Sequence, residues 1–176
     1  MLRVLSLHPD SVVDGPGLRT VLFLAGCPHH CVGCHNPSSW DSAGGVDWTI
    51  KETVERIQAI GNRRLTLSGG EPMLQAAALV QLLERLGPDY DVILYTGYVL
   101  EEILRRQRWY PLILRLDGLI DGPFILSKLD RTTRFRGSTN QRIYDRQQLQ
   151  KRVLHKNKNS PVSSDRGESD HAYFCS

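Results

Sequence analysis

Thr20-Val21-Leu22-Phe23-Leu24-Ala25-Gly26-Cys27-Pro28-His29-His30-Cys31-Val32-Gly33-Cys34 joins a short apolar run directly to three closely spaced cysteines. Thr20 to Ala25 predicts a strand buried on both faces and ended by Gly26, so the cysteines open the loop that leaves its C-terminal end. Downstream the periods alternate. Thr49 to Gly61 predicts a helix, with Thr49 and Glu52 as a capping box and Ile50, Val54 and Ile57 on one face. Arg64 to Ser68 predicts a strand closed by Gly69-Gly70. Gln75 to Leu86 predicts a helix presenting Ala78, Leu79, Leu82, Leu83 and Leu86, stopped by Gly87-Pro88. Asp91 to Tyr95 is the next expected strand and Leu100 to Arg108 the next helix. Leu119-Ile120-Asp121 is a further short strand before the turn Gly122-Pro123. The order βαβαβαβ implies an α/β fold with a mainly parallel sheet and right-handed crossovers. Such sheets carry their chemistry in the loops after the strands, where the cysteines stand.

The chain has 176 residues, 40% apolar and 23% charged, with a mean hydropathy of -0.31. That describes one ordinary globular domain. It is too short for a complete eight-fold βα barrel, which takes about 250 residues. No apolar run is long enough to span a bilayer. Met1 to Pro9 has neither a long apolar stretch nor a small-residue cleavage site, so a cytoplasmic protein is expected. Ten basic and two acidic residues lie between Lys128 and Lys158, leaving the rest of the chain net negative although the whole carries only +3. Such a stretch serves either as a solvated surface or as a face for an acidic partner. His155 to Ser176 is polar and serine-rich, which predicts a flexible tail (155–176) after a domain spanning 1–154.

A reducing compartment argues against disulfides for Cys27, Cys31 and Cys34, with Cys175 far away in the tail, and for a metal centre. The spacing C-x3-C-x2-C lets three thiolates converge on one inorganic group. A four-iron cluster held by three cysteines keeps one iron without a protein ligand, which makes it a reaction site. The rival is zinc, with His29, His30 or His35 as fourth ligand, although structural zinc usually takes two separated ligand pairs. Such a zinc-stabilised module would use the basic stretch on nucleic acid.

C-x3-C-x2-C after one strand and Gly69-Gly70-Glu71-Pro72 after the next resemble the radical S-adenosylmethionine superfamily. The resemblance implies a partial, open βα barrel of parallel strands. It implies one [4Fe-4S] cluster on Cys27, Cys31 and Cys34, and S-adenosylmethionine chelated to the open iron through its amino and carboxylate groups. Reductive cleavage of that cosubstrate would yield methionine and a 5′-deoxyadenosyl radical. Gly69, Gly70 and Glu71 would hold the methionine amino group, with Gly33, Cys34 and His35 beside the cofactor. Tyr95 to Tyr98 and Asp121 to Phe124 would line the adenosine side, with Asp121 the leading polar contact.

Asp14-Gly15-Pro16-Gly17 and Cys34-His35-Asn36-Pro37 with Trp40 narrow the resemblance to the activating enzymes of glycyl-radical enzymes. There, Asp14, Gly15, Pro16, Gly17 and Asn36 would border the mouth through which a partner's glycine enters. Arg134 to Ile143 and the short length resemble the branch that serves anaerobic ribonucleoside-triphosphate reductase. The implied partners are the large reductase subunit and an electron donor such as flavodoxin, with no membrane and no nucleic acid. No side-chain acid or base is nominated as catalytic. Two other enzyme readings share the cysteines: an activase of pyruvate formate-lyase type, whose members are longer, and a 7-carboxy-7-deazaguanine synthase-like enzyme acting on a small molecule.

Overall fold

The computed structural model describes residues 1–159; the remainder of the expected tail, Cys175 included, lies outside the described residues. Seven strands form a single open sheet in the order β3-β1-β2-β4-β5-β6-β7. The four central strands are β2 (Arg19–Leu24), β4 (Arg64–Gly69), β5 (Asp91–Tyr95) and β6 (Gly118–Asp121). They pair in parallel, Val21 beside Thr66, Leu65 beside Val92 and Leu94 beside Leu119. These are the strands the alternating periods predict.

The edges depart from that parallel reading. β1 (Leu2–Ser11) precedes the cysteine strand and pairs antiparallel with both β2 and the three-residue β3 (Val46–Trp48). At the other edge β7 (Arg142–Asp145), within the basic stretch, is antiparallel to β6. Two register shifts interrupt β1 against β2, and Asp10 there adopts φ 61°. Charged or irregular edges of this kind resist pairing with another chain.

Helices α1 (Ile50–Ile60) and α2 (Ala76–Leu86) match the expected spans within a residue or two. Thr49 accepts from the Glu52 amide while Glu52 accepts from that of Thr49, the capping box read from the sequence. The helix expected over Leu100 to Arg108 is instead α3 (Leu100–Ile103), a 3₁₀ turn and α4 (Tyr110–Ile113). Arg106 is extended at φ -116° and ψ 91°. Pro111 has no N–H for the preceding turn, so the chain starts a new helix that buries Tyr110, Leu112 and Ile113. The last helix, α5 (Arg146–Asn159), runs past His155, where the tail was expected to begin.

Strand alternation divides the sheet chemically. Leu22, Leu24, Leu65, Leu67, Val92, Leu94 and Leu119 join the main hydrophobic cluster with residues of the helices. Their neighbours Arg19, Val21, Phe23, Thr66, Ser68, Ile93 and Tyr95 are outside that cluster, on the opposite face by the period of two. That face carries the polar side chains and opens toward the strand ends. Among the described residues no helix is long and apolar enough to cross a membrane.

Candidate functional site

The loops leaving β2, β4, β5 and β6 surround one cavity of about 410 Å³. Cys27, His29, Cys31, Cys34, His35 and Asn36 line it from the first loop and Ser68, Gly69 and Gly70 from the second. Tyr95, Thr96 and Gly97 line it from the third, Gly122 and Phe124 from the fourth. Phe135, Arg136, Gly137 and Gln141 close a further side, and Val13 and Asp14 reach it from the segment before β2. The parallel sheet thus brings all four expected loops to one place, at a volume suited to a small organic ligand.

The cysteine loop is tied at its base. The Gly26 amide donates to Ser39 O at 2.8 Å and the Cys27 amide to Trp40 O at 3.1 Å. Inside the loop the Cys34 amide donates to Cys31 O, and Gly33 sits at φ 76°, a conformation that favours glycine. Cys27, Cys31 and Cys34 are free and half-buried. Burial pushes the Cys27 thiol up, the backbone amides of His29 and His30 oppose this, and the charges of Glu71 and Cys31 add to the rise. A bound cationic centre would reverse that preference, because thiolates ligate metals and thiols do not.

Three soft donors on one loop, beside a cavity they share, fit an iron-sulfur cluster. They fit a single zinc ion less well. The three candidate imidazoles are otherwise engaged. His29 Nε2 lies 2.8 Å from Glu71, His30 stacks on Trp40, and His35 packs on Phe124.

Gly69-Gly70-Glu71 has a geometry that the motif does not disclose. What approaches these glycines is backbone. A Cβ on Gly69 would lie 2.3 Å from Leu24 N, and one on Gly70 2.2 Å from Gly26 O. The Gly70 and Glu71 amides donate to Leu24 O and Gly26 O, each at 2.7 Å, so β4 is seamed to the base of the cysteine loop. The Glu71 side chain is fully buried and turned inward. It accepts from Met73 N (3.0 Å), Thr96 Oγ1 (2.7 Å) and Gly97 N (2.8 Å), and pairs with His29 Nε2. Gly69 and Gly70 line the cavity; Glu71 is absent from its lining.

Asp121 is likewise buried away from the cavity. Its carboxylate accepts from Leu100 N at 2.6 Å and from Arg142 Nε at 3.0 Å. Arg142 also reaches Glu101, at 2.6 Å from its Nη2. Gly122 and Phe124, from the same predicted segment, do line the cavity. Of the expected mouth, Asp14 and Asn36 face the cavity, whereas Gly15, Pro16 and Gly17 do not line it, nor does Gly33, expected beside the cofactor. Gly15 instead packs on Arg19, where a Cβ would meet Cδ at 2.8 Å. Tyr95 joins the cavity as a neutral phenol, burial pushing its pKa far up and Asp14 adding to the rise.

Sequence reasoning missed two features. One is the bond between His29 and Glu71, for which no spacing gives a signal across 42 residues. The other is Phe135, which lines the cavity with a positive φ of 67°. A non-glycine residue held there is a point of local strain.

Residues 13–144 match the family described as 4Fe-4S single cluster domain. The chain is 41% identical over 148 residues to the anaerobic ribonucleoside-triphosphate reductase-activating protein of Vibrio cholerae, covering 78% of this chain and 94% of the relative. The protein of the same name from Haemophilus influenzae is 37% identical, with 81% of this chain and 97% of the relative covered. That of Enterobacteria phage T4 is 34% identical, with 78% and 90% covered. Among solved structures, QueE from Escherichia coli aligns with a TM-score of 0.46 at 19% identity, over 55% of this chain and 52% of that one. On the strength of the sequence matches, this chain belongs to the family of anaerobic ribonucleoside-triphosphate reductase-activating proteins, within the 4Fe-4S single cluster domain family.

Proposed function

We propose that the protein activates an anaerobic ribonucleoside-triphosphate reductase by generating a glycyl radical on its large subunit. The observation that carries this reading is the placement of Cys27, Cys31 and Cys34 on one loop, lining the same cavity as the Gly69-Gly70 strand end. Cys27, Cys31 and Cys34 would hold one [4Fe-4S] cluster. When bound, the cluster would supply the one electron that reductively cleaves S-adenosylmethionine to methionine and a 5′-deoxyadenosyl radical, which would take a hydrogen atom from the partner's glycine and leave as 5′-deoxyadenosine.

The chain's own groups do the rest. Gly69 and Gly70 line the cavity where the ammonium of the cosubstrate would lie, and the third and fourth loops would shape its nucleoside side. Phe124 and Phe135 wall the cavity with apolar surface, which favours exclusion of water and stray hydrogen donors. Asp14 and Asn36 stand where a partner glycine loop would enter. We read the open sheet as a partial barrel whose unclosed side admits that loop. The reading includes an activase domain over residues 1–154, a cytoplasmic location and a flavodoxin-type electron donor.

The test is anaerobic incubation of the reduced, cluster-loaded protein with S-adenosylmethionine and a candidate reductase. A glycyl-radical EPR doublet that disappears with Cys31→Ala is the expected result. Wild-type protein that takes up iron and sulfide yet yields no radical on the reductase would overturn it.

A further inference from the structure

We infer that Glu71 is a positioning residue: its carboxylate contacts no cosubstrate and instead, through His29, fixes the loop carrying Cys27 and Cys31. This rests on the cluster site proposed above. A carboxylate has about four lone-pair sites for hydrogen bonds, and Glu71 directs its two oxygens to Met73 N, Thr96 Oγ1, Gly97 N and His29 Nε2. No acceptor capacity is left for an ammonium, and the group is fully buried. Its partners come from three different loops, those after β2, β4 and β5. One anion therefore holds three strand ends in register.

His29 is shaped into this role from both sides. Gly97 lies so close that a Cβ there would stand 2.3 Å from the imidazole Cδ2. Tyr98 meets the other side of the ring edge-on at 4.6 Å. Tyr98 in turn rests on Trp109, with the Arg106 guanidinium over both rings. The imidazole is wedged in a slot that only a glycine at position 97 leaves open. Because His29 sits between Cys27 and Cys31 in sequence, fixing its ring fixes the separation and direction of two thiols. Partners standing behind the ligands of a metal site ordinarily act this way, and losing one costs about 10–100-fold in metal affinity or activity.

Glu71→Gln, His29→Ala, the double variant and His29→Gln test the assignment. Each is loaded with iron and sulfide without air, then followed for chelator-driven cluster loss, for the EPR of the reduced cluster, and for S-adenosylmethionine affinity. The two single variants are expected to lose the cluster about 10–100-fold faster than wild type, with a broadened EPR signal. The double variant should be no worse than Glu71→Gln in cluster retention and no worse than His29→Ala in cosubstrate affinity, since His29 is held through Glu71 and Glu71 touches no cosubstrate. His29→Gln, whose amide N–H can reach Glu71, should restore most of the retention.

Wild-type retention in Glu71→Gln, or a further loss of cosubstrate affinity in the double variant beyond that of His29→Ala, would overturn the inference. Should Glu71→Gln fail to fold, the partly exposed His29 and its Gln rescue carry the test: retention unchanged in His29→Ala sinks the idea. A wild-type protein that never acquires a cluster would instead refute the function proposed above, before any variant is compared.

Discussion

Replacing Arg19 by methionine should loosen the floor of the site. Arg19 opens β2 and is completely buried. Its guanidinium donates to Thr66 Oγ1, Leu65 O and Asp91 O, each at 2.8 Å, and more weakly to Pro16 O at 3.4 Å. Thr66 Oγ1 in turn donates a hydrogen bond to Asp14 O at 2.7 Å, so one cation ties β2, β4 and β5 to the segment bordering the cavity. The ion pair with Asp91 Oδ1 adds little, because that carboxylate is 44% exposed and screened by water.

Methionine keeps most of the packed stem and leaves two backbone carbonyls, of Leu65 and Asp91, without their donor. A buried polar group stripped of its partner costs about 1–3 kcal/mol. Two such groups, less the relief of no longer burying a cation, give a net loss of about 3 kcal/mol. For a domain of this size each kcal/mol moves the midpoint by about 2–4 °C, so Tm should fall by about 6–12 °C. Scanning calorimetry of the cluster-free protein reads this directly, and limited proteolysis should show new cleavage between Asp14 and Leu18. Arg19→Lys should fall between the two, since one ammonium replaces a planar fork. A Tm drop smaller than about 2 °C for Arg19→Met, worth under about 1 kcal/mol, would refute the accounting.

Gly70→Ala puts a methyl against backbone on two sides, 2.2 Å from Gly26 O and 2.9 Å from Ser39 O. It should cost about 3 kcal/mol in urea unfolding and release the cysteine loop, seen as weaker iron retention. Arg142→Met leaves the buried Asp121 carboxylate without its guanidinium. A loss of about 3 kcal/mol is expected, at the low end for a broken buried pair because Arg142 is 41% exposed, and adding Asp121→Asn should recover part of it. Asp130, held by the hydroxyl and amide of Thr132 and by Thr133, has its pKa depressed well below the usual carboxylate range. Its contribution is complete above pH of about 4 and fades as acid approaches the lower native value. Wild type and Asp130→Asn should therefore differ in stability near neutrality and converge in strong acid.

The central sheet was legible because burial on two faces and the intervening helical periods leave one solution for β2, β4, β5 and β6. β1 was not. Leu2 and Val4 begin a strand alternation, but Leu7 falls out of step with it beyond the register break between Val4 and Ser6, a second break follows His8, and the pairing with β2 is antiparallel. The helix expected over Leu100 to Arg108 stops at Ile103, and the restart at Tyr110 depends on Trp109 and Tyr110 finding a buried place, which no local pattern reveals.

The site divides in the same way. Cysteine spacing announces its chemistry because three donors must reach one group from one loop. The carboxylates Glu71 and Asp121 looked like ligand contacts, since an acidic residue just past a parallel strand points toward the catalytic end. Whether such a group serves a ligand or the fold depends on how many donors surround it, and those donors come from elsewhere in the chain. Thr96 and Gly97 lie 25 and 26 residues from Glu71, and Arg142 lies 21 from Asp121. Glu71 has its acceptor capacity taken by protein, Asp121 accepts from Leu100 N and doubly from Arg142, and both are absent from the cavity lining. What remains lining the cavity is backbone, thiol, phenol and aromatic surface, with the imidazoles of His29 and His35 and the polar side chains of Asp14, Asn36, Arg136 and Gln141. The proposed reaction asks none of these side chains to serve as acid or base, because in it the protein aims a reactive centre at one C–H bond.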